Sequence, residues 1–203
     1  MNVDVSFVTS GHDVADARLH RLVRACLRRG LTVEVLALGD PAGGPAGARV
    51  RTWPRPTVAR RAALAVRLAR SAGGRVLVAL DPDSLLACWA AARTPGRTSP
   101  RVVADVHENY ADLLRDRGWA HGPAGRVGQL VARGAASVAR RSDLTVVADD
   151  HVEPLTARER LVVRNEPDLA LLGRPTAADP EPRAVYVGDV RTSRGLREMV
   201  AAV

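Results

Sequence analysis

The first forty residues alternate between strand-like and helix-like sequence, and this alternation limits the possible fold more than any other feature of the chain. Residues 3–8 (VDVSFV) and 32–38 (TVEVLAL) are short apolar runs rich in β-forming side chains, which predicts two strands. Between them, apolar residues recur at the spacing of one helical face, with arginines in the intervening positions: Leu19, Leu22, Val23, Cys26 and Leu27. Strand, helix and strand in this order predict one right-handed βαβ unit, the start of a parallel sheet.

The ends of this first helix carry recognisable signals. We predict Asp13 as the N-cap, with Asp16 three residues later in the capping-box position. Gly30 is placed to end the helix. Before the helix, Thr9, Ser10 and Gly11 predict a tight loop after the first strand.

The same alternation continues along the chain. Further strands are expected at residues 50–53, 75–80, 102–106, 144–148 and 161–163. Further helices are expected at residues 58–70, from 81 through Trp89, and at residues 109–117 and 126–141, with a turn at 121–125. The predicted fold class is therefore α/β, with a Rossmann-like parallel sheet flanked by helices.

The C-terminal part of the chain differs in composition. Residues 167–183 are rich in Pro, Ala and Asp without periodicity, which is typical of a linker. Residues 184–203 contain one predicted strand, at 184–187, and one predicted helix, from Arg194 onwards. One strand and one helix cannot enclose a core. We therefore predict a first domain at 1–166, a linker at 167–183, and the truncated start of a second Rossmann-like domain at 184–203.

A cluster of polar side chains follows one predicted buried strand, within residues 101–110 (RVVADVHENY). The strand ends at His107, which is followed by Glu108, Asn109 and Tyr110. Ligands of open parallel sheets bind outside the carboxyl ends of the strands, so this position favours a functional histidine. The alternative is a structural histidine satisfied by a neighbouring carboxylate or by a helix start after Glu108.

Charge and cysteine content narrow the classes of partner. The formal net charge is +8, and the basic residues are arginines without a single lysine. Such a surface favours phosphates, nucleic acid or an anionic membrane. The chain is only 3% aromatic and shows no nucleic-acid-binding module, which argues against nucleic acid. Cys26 and Cys88 fall within helical patterns, as buried hydrophobic residues would, and no His or Cys cluster has metal-ligand spacing.

Two further features bear on location. No stretch approaches 18 uninterrupted apolar residues, and the N-terminus lacks the pattern of a signal peptide. We therefore expect a soluble, cytoplasmic protein. Peripheral contact with the inner face of an anionic membrane is an alternative that the arginines favour.

The order of motifs resembles that of the family 4 glycosyltransferases of the GT-B fold. Four stretches carry the likeness: HDVADARLHRLVRACLRRGLTVEVL from His12, DPDSLLACWAAAR from Asp81, VVADVHENYADLL from Val102, and VVRNEPDL from Val162 continued by AVYVGDVRTSRGL from Ala184. The resemblance covers an acceptor-side N-terminal domain and the start of a donor-side domain. It implies retaining, metal-independent transfer of a hexose from a nucleotide-sugar to a sugar or lipid-linked acceptor, without a cofactor.

The resemblance also implies roles for residues of the first domain. His107 would contact the sugar or acceptor at the reacting centre, and Glu108 would orient His107 or cap the next helix. Gly11 would allow the loop backbone to approach the substrate. Asp16 and Arg18 match the family pattern, with helix capping and a solvated helix face as alternatives. Asn165 resembles the asparagine at the domain crossover, and its alternative is a turn residue.

The donor side departs from the family pattern. Gly188 and Arg194 match the loop that meets the donor diphosphate, while Asp189 stands where a basic residue is expected and Arg191 is its nearest substitute. The family's pair of glutamates seven residues apart is missing. We therefore expect a fragment or a half-enzyme whose donor site is completed by a second chain.

Two other classes of function are alternatives to a transferase. The first is a non-catalytic, arginine-rich module that binds anionic lipid, a polyphosphate or a partner subunit. The second is a nucleotide-dependent oxidoreductase. The loop TSGHDVAD from Thr9 disfavours the oxidoreductase because it lacks the glycines that a pyrophosphate requires.

Overall fold

The computed structural model describes residues 2–95, 99–115, 122–166, 185–186 and 195–202. The chain divides into two compact units, Met1–Glu166 and Pro167–Val203. The predicted linker and the predicted donor-diphosphate residues Gly188, Arg191 and Arg194 lie outside the described residues.

The first unit is built on a seven-stranded sheet in which every pairing is parallel. The strands are β1 (Val3–Asp13), β2 (Val33–Leu38), β3 (Arg49–Trp53), β4 (Gly74–Ala79), β5 (Arg101–Val106), β6 (Leu144–Val147) and β7 (Arg160–Val162). Their order in the sheet is β3-β2-β1-β4-β5-β6-β7. The α/β prediction of a Rossmann-like parallel sheet is confirmed.

Helices cover both faces of this sheet. They are α1 (Ala17–Arg28), α2 (Val58–Ser71), α3 (Pro82–Ala91), α4 (Tyr110–Arg115) and α5 (Pro123–Ala139). Successive residues of a strand point to opposite faces, and the two cores follow that alternation. One core joins α1 to one face through residues such as Phe7, Val35, Leu19 and Val23. The other joins α2, α3 and α5 to the opposite face through residues such as Val8, Leu77, Leu68, Leu85 and Ala135.

The first strand is longer than the sequence predicts. β1 continues past Val8 to Asp13, and its register against β2 is irregular between those two residues. Asp13 is therefore part of the strand, opposite Leu38, and the prediction that it caps α1 is wrong. Asp16 is the N-cap: its carboxylate accepts hydrogen bonds from the backbone N–H of Arg18 (2.9 Å) and of Leu19 (3.0 Å).

Glycine and proline mark two other helix ends. Gly30 follows α1 with φ of 74°, in the left-handed region that favours glycine, as predicted for the end of this helix. Pro123 begins α5, so the predicted turn at 121–125 is wrong in its second half. Proline is favoured in the first helical turn because the backbone N–H that it lacks would have no partner there.

The second unit is described only in part. One helix, α6 (Leu196–Ala201), lies within the predicted C-terminal helix and buries none of its residues. Val185 and Tyr186 are the described residues of the predicted strand at 184–187, and neither has strand structure. In the described ranges, no helix combines the length and the apolar character needed to span a bilayer.

The order of the strands fixes where a ligand can enter the first unit. β1 and β4 are neighbours, and the chain builds outward from them in opposite directions. This reversal opens a crevice at the carboxyl ends of β1 and β4, the position where doubly wound sheets bind ligands.

Candidate functional site

Polar side chains from the ends of three adjacent strands line the crevice. β1 contributes Thr9, Ser10 and the segment from Gly11 to Asp13. Asp81 lies between β4 and α3, and β5 contributes Asp105 just before His107. Thr9, Ser10, Asp81 and Asp105 are all buried, so this polar group belongs to the interior of the fold.

Asp81 anchors the end of β1 to the start of α3. Its carboxylate accepts hydrogen bonds from Thr9 Oγ1 (2.8 Å), from the backbone N–H and hydroxyl of Ser10 (2.9 and 3.2 Å), and from the backbone N–H and hydroxyl of Ser84 (both 3.0 Å). Burial raises the pKa of Asp81, but the nearby Arg61 and these hydrogen bonds outweigh it, so the pKa lies below its ordinary value. Asp81 is therefore an internal anion satisfied mainly by neutral donors.

Asp105 is satisfied differently, by a buried arginine. Arg18 Nε lies 3.2 and 3.0 Å from the two carboxylate oxygens, and Arg18 Nη2 lies 2.6 Å from Oδ1. The same guanidinium donates from Nη1 to the carbonyl of Val163 (3.0 Å). Arg18 is only 4% exposed. Its predicted role in substrate binding stays a prediction, but in this structure its guanidinium is occupied by an internal ion pair.

Asp105 also orients His107. His107 Nε2 lies 2.7 Å from Asp105 Oδ2. Burial raises the pKa of Asp105, but the hydrogen bonds from His107 and Arg18 outweigh it and hold the pKa below its ordinary value. An ionised carboxylate only accepts, so Nε2 of His107 is the donor. In a neutral ring, Nδ1 is then left as an acceptor.

A second histidine, His12, stands beside His107. The two ring centroids are 5.5 Å apart, and the rings are inclined by 55°. His12 Nδ1 lies 3.2 Å from Asp16 Oδ2, so each imidazole has its own carboxylate. Burial lowers the pKa of His12, but the hydrogen bond to Asp16 and the charges of Asp81 and Asp16 outweigh it, and the pKa is raised. The hydrogen bond from His12 likewise contributes most to the lowered pKa of Asp16.

His12 was not predicted from the sequence to have a role. The available signal was its position four residues before Asp16, where the first strand gives way to the first helix. Of the predicted residues, Asp16 reaches the crevice through this contact with His12 as well as capping α1.

Gly11 lies directly beneath an arginine of α2. A Cβ atom at Gly11 would lie 2.4 Å from Arg61 Nη2, so the side chain of Arg61 occupies the space that any residue other than glycine would need. Arg61 Nη2 is 3.3 Å from Asp81, and Arg61 Nε is 2.8 Å from Asp83 as an ion pair without hydrogen-bond geometry. Arg55 approaches the same glycine, with Nη1 3.4 Å from its carbonyl oxygen.

Arg61 is a site residue that the sequence analysis missed. Arg60, Arg67 and Arg70 are exposed, whereas the side chain of Arg61 is 34% exposed and turned towards the crevice. In a helix of 3.6 residues per turn, Arg61 points away from Arg67 and Arg70, but the sequence does not show which side chains Arg61 contacts.

Glu108 and Asn109 follow His107 at the mouth of the crevice, and both are exposed. The carbonyl of Asn109 accepts from the backbone N–H of Asp112 and of Leu113, so Asn109 begins the turn that becomes α4. A cavity of about 130 Å³ lies beneath this segment, between the strand ends and the alanine-rich face of α5. Asp81, Asp105, Glu108 and Tyr110 contribute to its wall.

Asn165 lies at the end of the first unit. Its side-chain oxygen accepts a hydrogen bond from Arg21, which also donates to the carbonyl of Glu166. Within the described part of the chain, the hydrogen bond of the Asn165 side chain is therefore with α1 and not with His107 or Gly11. The predicted role of Asn165 at a domain crossover stays a prediction.

The comparisons with known proteins identify no relative. The chain matches no protein-family model, no curated protein and no solved structure. Its function must therefore be argued from the geometry of the site and from the motifs of the sequence.

The described residues define the chemistry that the crevice can perform. Two imidazoles, each held by a carboxylate, can donate or accept protons at a fixed position. The guanidinium groups of Arg55 and Arg61 can stabilise negative charge on a ligand. Within the described ranges, no three His, Cys, Asp or Glu side chains are arranged to hold a metal ion.

Proposed function

We propose that the chain is the acceptor-side part of a retaining glycosyltransferase that uses a nucleotide-sugar donor. The observation that carries the proposal is the position of His107. It is held by the buried carboxylate of Asp105 at the carboxyl end of β5, beside His12 near the end of β1. The motif order in the sequence supports the same function, since it places a histidine of this kind at the reacting centre.

In this proposal His107 acts on the group that is transferred or on its acceptor. Asp105 fixes the ring orientation and keeps the proton on Nε2, so Nδ1 is the atom left to meet a hydroxyl or a developing charge. Glu108 would contact the same substrate from the exposed side. A fixed imidazole costs no reorganisation when charge develops, which is the advantage of a preorganised site.

Binding of the nucleotide-sugar donor is assigned to the second unit together with a partner chain. Gly188, Arg191 and Arg194 would meet the diphosphate, because a guanidinium matches a phosphate through paired hydrogen bonds. Further donor-binding residues would come from a second chain or a further domain. Asn165 lies at the end of the first unit, and its predicted role at a domain crossover belongs to the same proposal.

A transfer assay with matched histidine variants tests the proposal. Wild type, His107→Ala and His151→Ala are compared for transfer of labelled sugar from nucleotide-sugars, with a donor-side GT-B domain fused after Val203. His151 is the control because its side chain is 83% exposed and its charged neighbour, Asp149, is outside the crevice. We expect His107→Ala to lower kcat/KM by about 100-fold or more, and His151→Ala to leave it unchanged. Equal activity of wild type and His107→Ala would remove His107 from the mechanism.

A second function, binding to an anionic membrane, is favoured by the surface of α2. Residues 41–80 contain eight arginines and no Asp or Glu. On α2, Val58 is 68% exposed and Val66 is 42% exposed, next to the exposed arginines Arg60 and Arg67. Such a helix can lie on an anionic bilayer. Co-sedimentation with phosphatidylglycerol vesicles should then weaken as salt increases, and absence of binding at low salt would contradict this function.

A further inference from the structure

The segment around Gly11 brings three basic side chains to one point. Arg61 covers the open side of Gly11, Arg55 reaches its carbonyl oxygen, and His12 is the next residue in the chain. These groups come from the end of β1, from the loop after β3 and from α2. Because the two arginines lie 44 and 50 residues from Gly11 in sequence, the fold itself assembles the group.

The donors of this group are not all used within the protein. Among the described residues, Arg55 contacts only a backbone carbonyl and has no carboxylate partner. Arg61 faces Asp81 and Asp83 through Nη2 and Nε, and its Nη1 has no hydrogen-bond partner in the described part of the chain. Arg61 Nε is buried and makes no hydrogen bond. The guanidinium is therefore held in place while retaining donors that a ligand can use.

Asp81 does not depend on Arg61 for its hydrogen bonds. Thr9, Ser10 and Ser84 supply five hydrogen bonds to the Asp81 carboxylate. Asp83 lies opposite Arg61 Nε, and its pKa is raised because burial outweighs the attraction of Arg61. A ligand anion therefore competes with Asp81 and Asp83 for this guanidinium, but Asp81 keeps its five hydrogen bonds when Arg61 turns towards the ligand.

We propose that Arg55, Arg61 and His12 form a binding site for a phosphate group of a small-molecule ligand, seated against Gly11. Arg61 and Arg55 would bind the phosphate oxygens, and His12 in its doubly protonated form would add a third donor, Nε2, because Nδ1 faces Asp16. The absence of a side chain at Gly11 leaves the guanidinium of Arg61 in contact with the backbone at the bottom of the crevice.

In the proposed transferase, this site would bind a phosphate group carried by the acceptor. That assignment rests on the proposed function. The binding site itself does not, because a phosphate can bind without any sugar transfer. If the wild type binds phosphate but transfers no sugar, the transferase is rejected and the phosphate site is retained. If the wild type transfers sugar but binds no phosphate, the phosphate site is rejected and the transferase is retained.

Calorimetric titration of the full chain tests the site. The probes are inorganic phosphate and glycerol 3-phosphate, with glycerol as the neutral control, at an ionic strength kept constant with sodium chloride. The variants are Arg55→Gln, Arg61→Gln and, as a matched control, Arg67→Gln, which removes one exposed arginine from the same helix. We expect about tenfold or greater weakening of Kd for Arg55→Gln and for Arg61→Gln, and no change for Arg67→Gln.

Two results would overturn the inference. One is equal weakening by all three variants, which would show diffuse attraction to a basic surface. The other is the absence of saturable phosphate binding to the wild type. If Arg61→Gln fails to fold by circular dichroism, Arg55→Gln decides the result, because Arg55 is exposed and makes a single weak contact.

A vesicle experiment identifies the source of the phosphate. Binding to phosphatidylglycerol vesicles that is lost in Arg55→Gln and is displaced by glycerol 3-phosphate would assign a lipid headgroup to the site. Vesicle binding that depends on Arg67 and is not displaced by glycerol 3-phosphate would show that the membrane contacts α2. The phosphate site would then be assigned to a soluble phosphate ester. Either outcome retains the phosphate chemistry of Arg55 and Arg61.

Discussion

Replacing Asp105 by asparagine tests how the crevice is held together. The substitution keeps the size of the side chain and removes its charge. Arg18 then remains 4% exposed without a counter-charge. An asparagine oxygen can replace only part of the contacts that Arg18 Nε and Nη2 make with the two carboxylate oxygens. Of the guanidinium's hydrogen bonds within the described residues, the one to the carbonyl of Val163 does not involve residue 105 and remains.

The expected loss of stability is large. Removing one partner of a buried ion pair costs about 3–5 kcal/mol, because the remaining charge stays buried without compensation. The free energy of unfolding of a typical domain is only about 5–15 kcal/mol. Asp105→Asn should therefore remove a large fraction of the stability of the first unit. Replacing both Arg18 and Asp105 by leucine should cost less than Asp105→Asn alone, since no buried charge is then left.

Urea denaturation followed by circular dichroism measures this difference. Asp150→Asn is the matched control. Asp150 pairs with Arg164 at 3.2 Å, and the two side chains are 68% and 62% exposed, respectively. An exposed pair contributes about 0–1 kcal/mol, so the control should unfold close to wild type. Similar losses for Asp105→Asn and Asp150→Asn would refute the conclusion that the Arg18–Asp105 pair is a buried structural element.

The same pair predicts a dependence on pH. The pKa of Asp105 is lowered in the folded protein by its hydrogen bonds from His107 and Arg18. Its contribution to stability is therefore complete above the unfolded pKa of about 3.9 and is lost as the pH falls below that value towards the folded pKa. Acid should destabilise wild type more steeply than Asp105→Asn. Parallel acid profiles for the two proteins would contradict the direction of the shift.

Two further predictions concern the start of α1 and its histidine. Asp16→Ala should lower the free energy of unfolding by about 1 kcal/mol or more, because Asp16 caps the backbone of Arg18 and Leu19. Asp13→Ala should lower it by less, since Asp13 accepts a hydrogen bond from the backbone N–H of Ala15 and does not cap the helix. Urea denaturation of both variants measures the difference, and a greater loss for Asp13→Ala would contradict the assignment of the cap. His12 should titrate above its ordinary pKa of about 6.5 in wild type and at a lower value in Asp16→Ala, as measured by NMR, since the hydrogen bond to Asp16 raises its pKa. Its stabilising contribution is then present below the unfolded pKa and lost as the pH rises through the folded pKa, and an unchanged titration in Asp16→Ala would argue against the contact.

Most of the fold could be predicted from the sequence because its signals are local. Apolar runs such as Val33–Leu38 and the helical spacing of Leu19 and Val23 depend only on near neighbours along the chain. The misplaced cap shows the limit of such signals. Asp13 and Asp16 both have capping chemistry, and only the irregular pairing of β1 with β2 places Asp13 in the strand.

The candidate site could be predicted only in part, because its contacts join distant parts of the chain. The crevice rule pointed to His107, since it follows a buried strand, and only the family resemblance pointed to Gly11. Arg18 is 87 residues from Asp105, and its helical position gave no sign that it would be buried. The helical phase sets Arg61 apart from Arg67, but the sequence does not show that Arg61 meets Asp81 and Asp83 or that Arg18 meets Asp105.

The two buried aspartates of the crevice explain why one of their arginines is available to a ligand and the other is not. Asp105 depends on Arg18 for most of its hydrogen bonds, so a ligand that drew Arg18 away would leave a buried charge uncompensated. Asp81 accepts hydrogen bonds from five neutral donors, and Arg61 adds a counter-charge at 3.3 Å without a hydrogen bond. Movement of Arg61 towards a phosphate therefore leaves Asp81 hydrogen-bonded. Arg61→Gln should accordingly affect stability much less than Asp105→Asn, and its main effect should be on ligand binding.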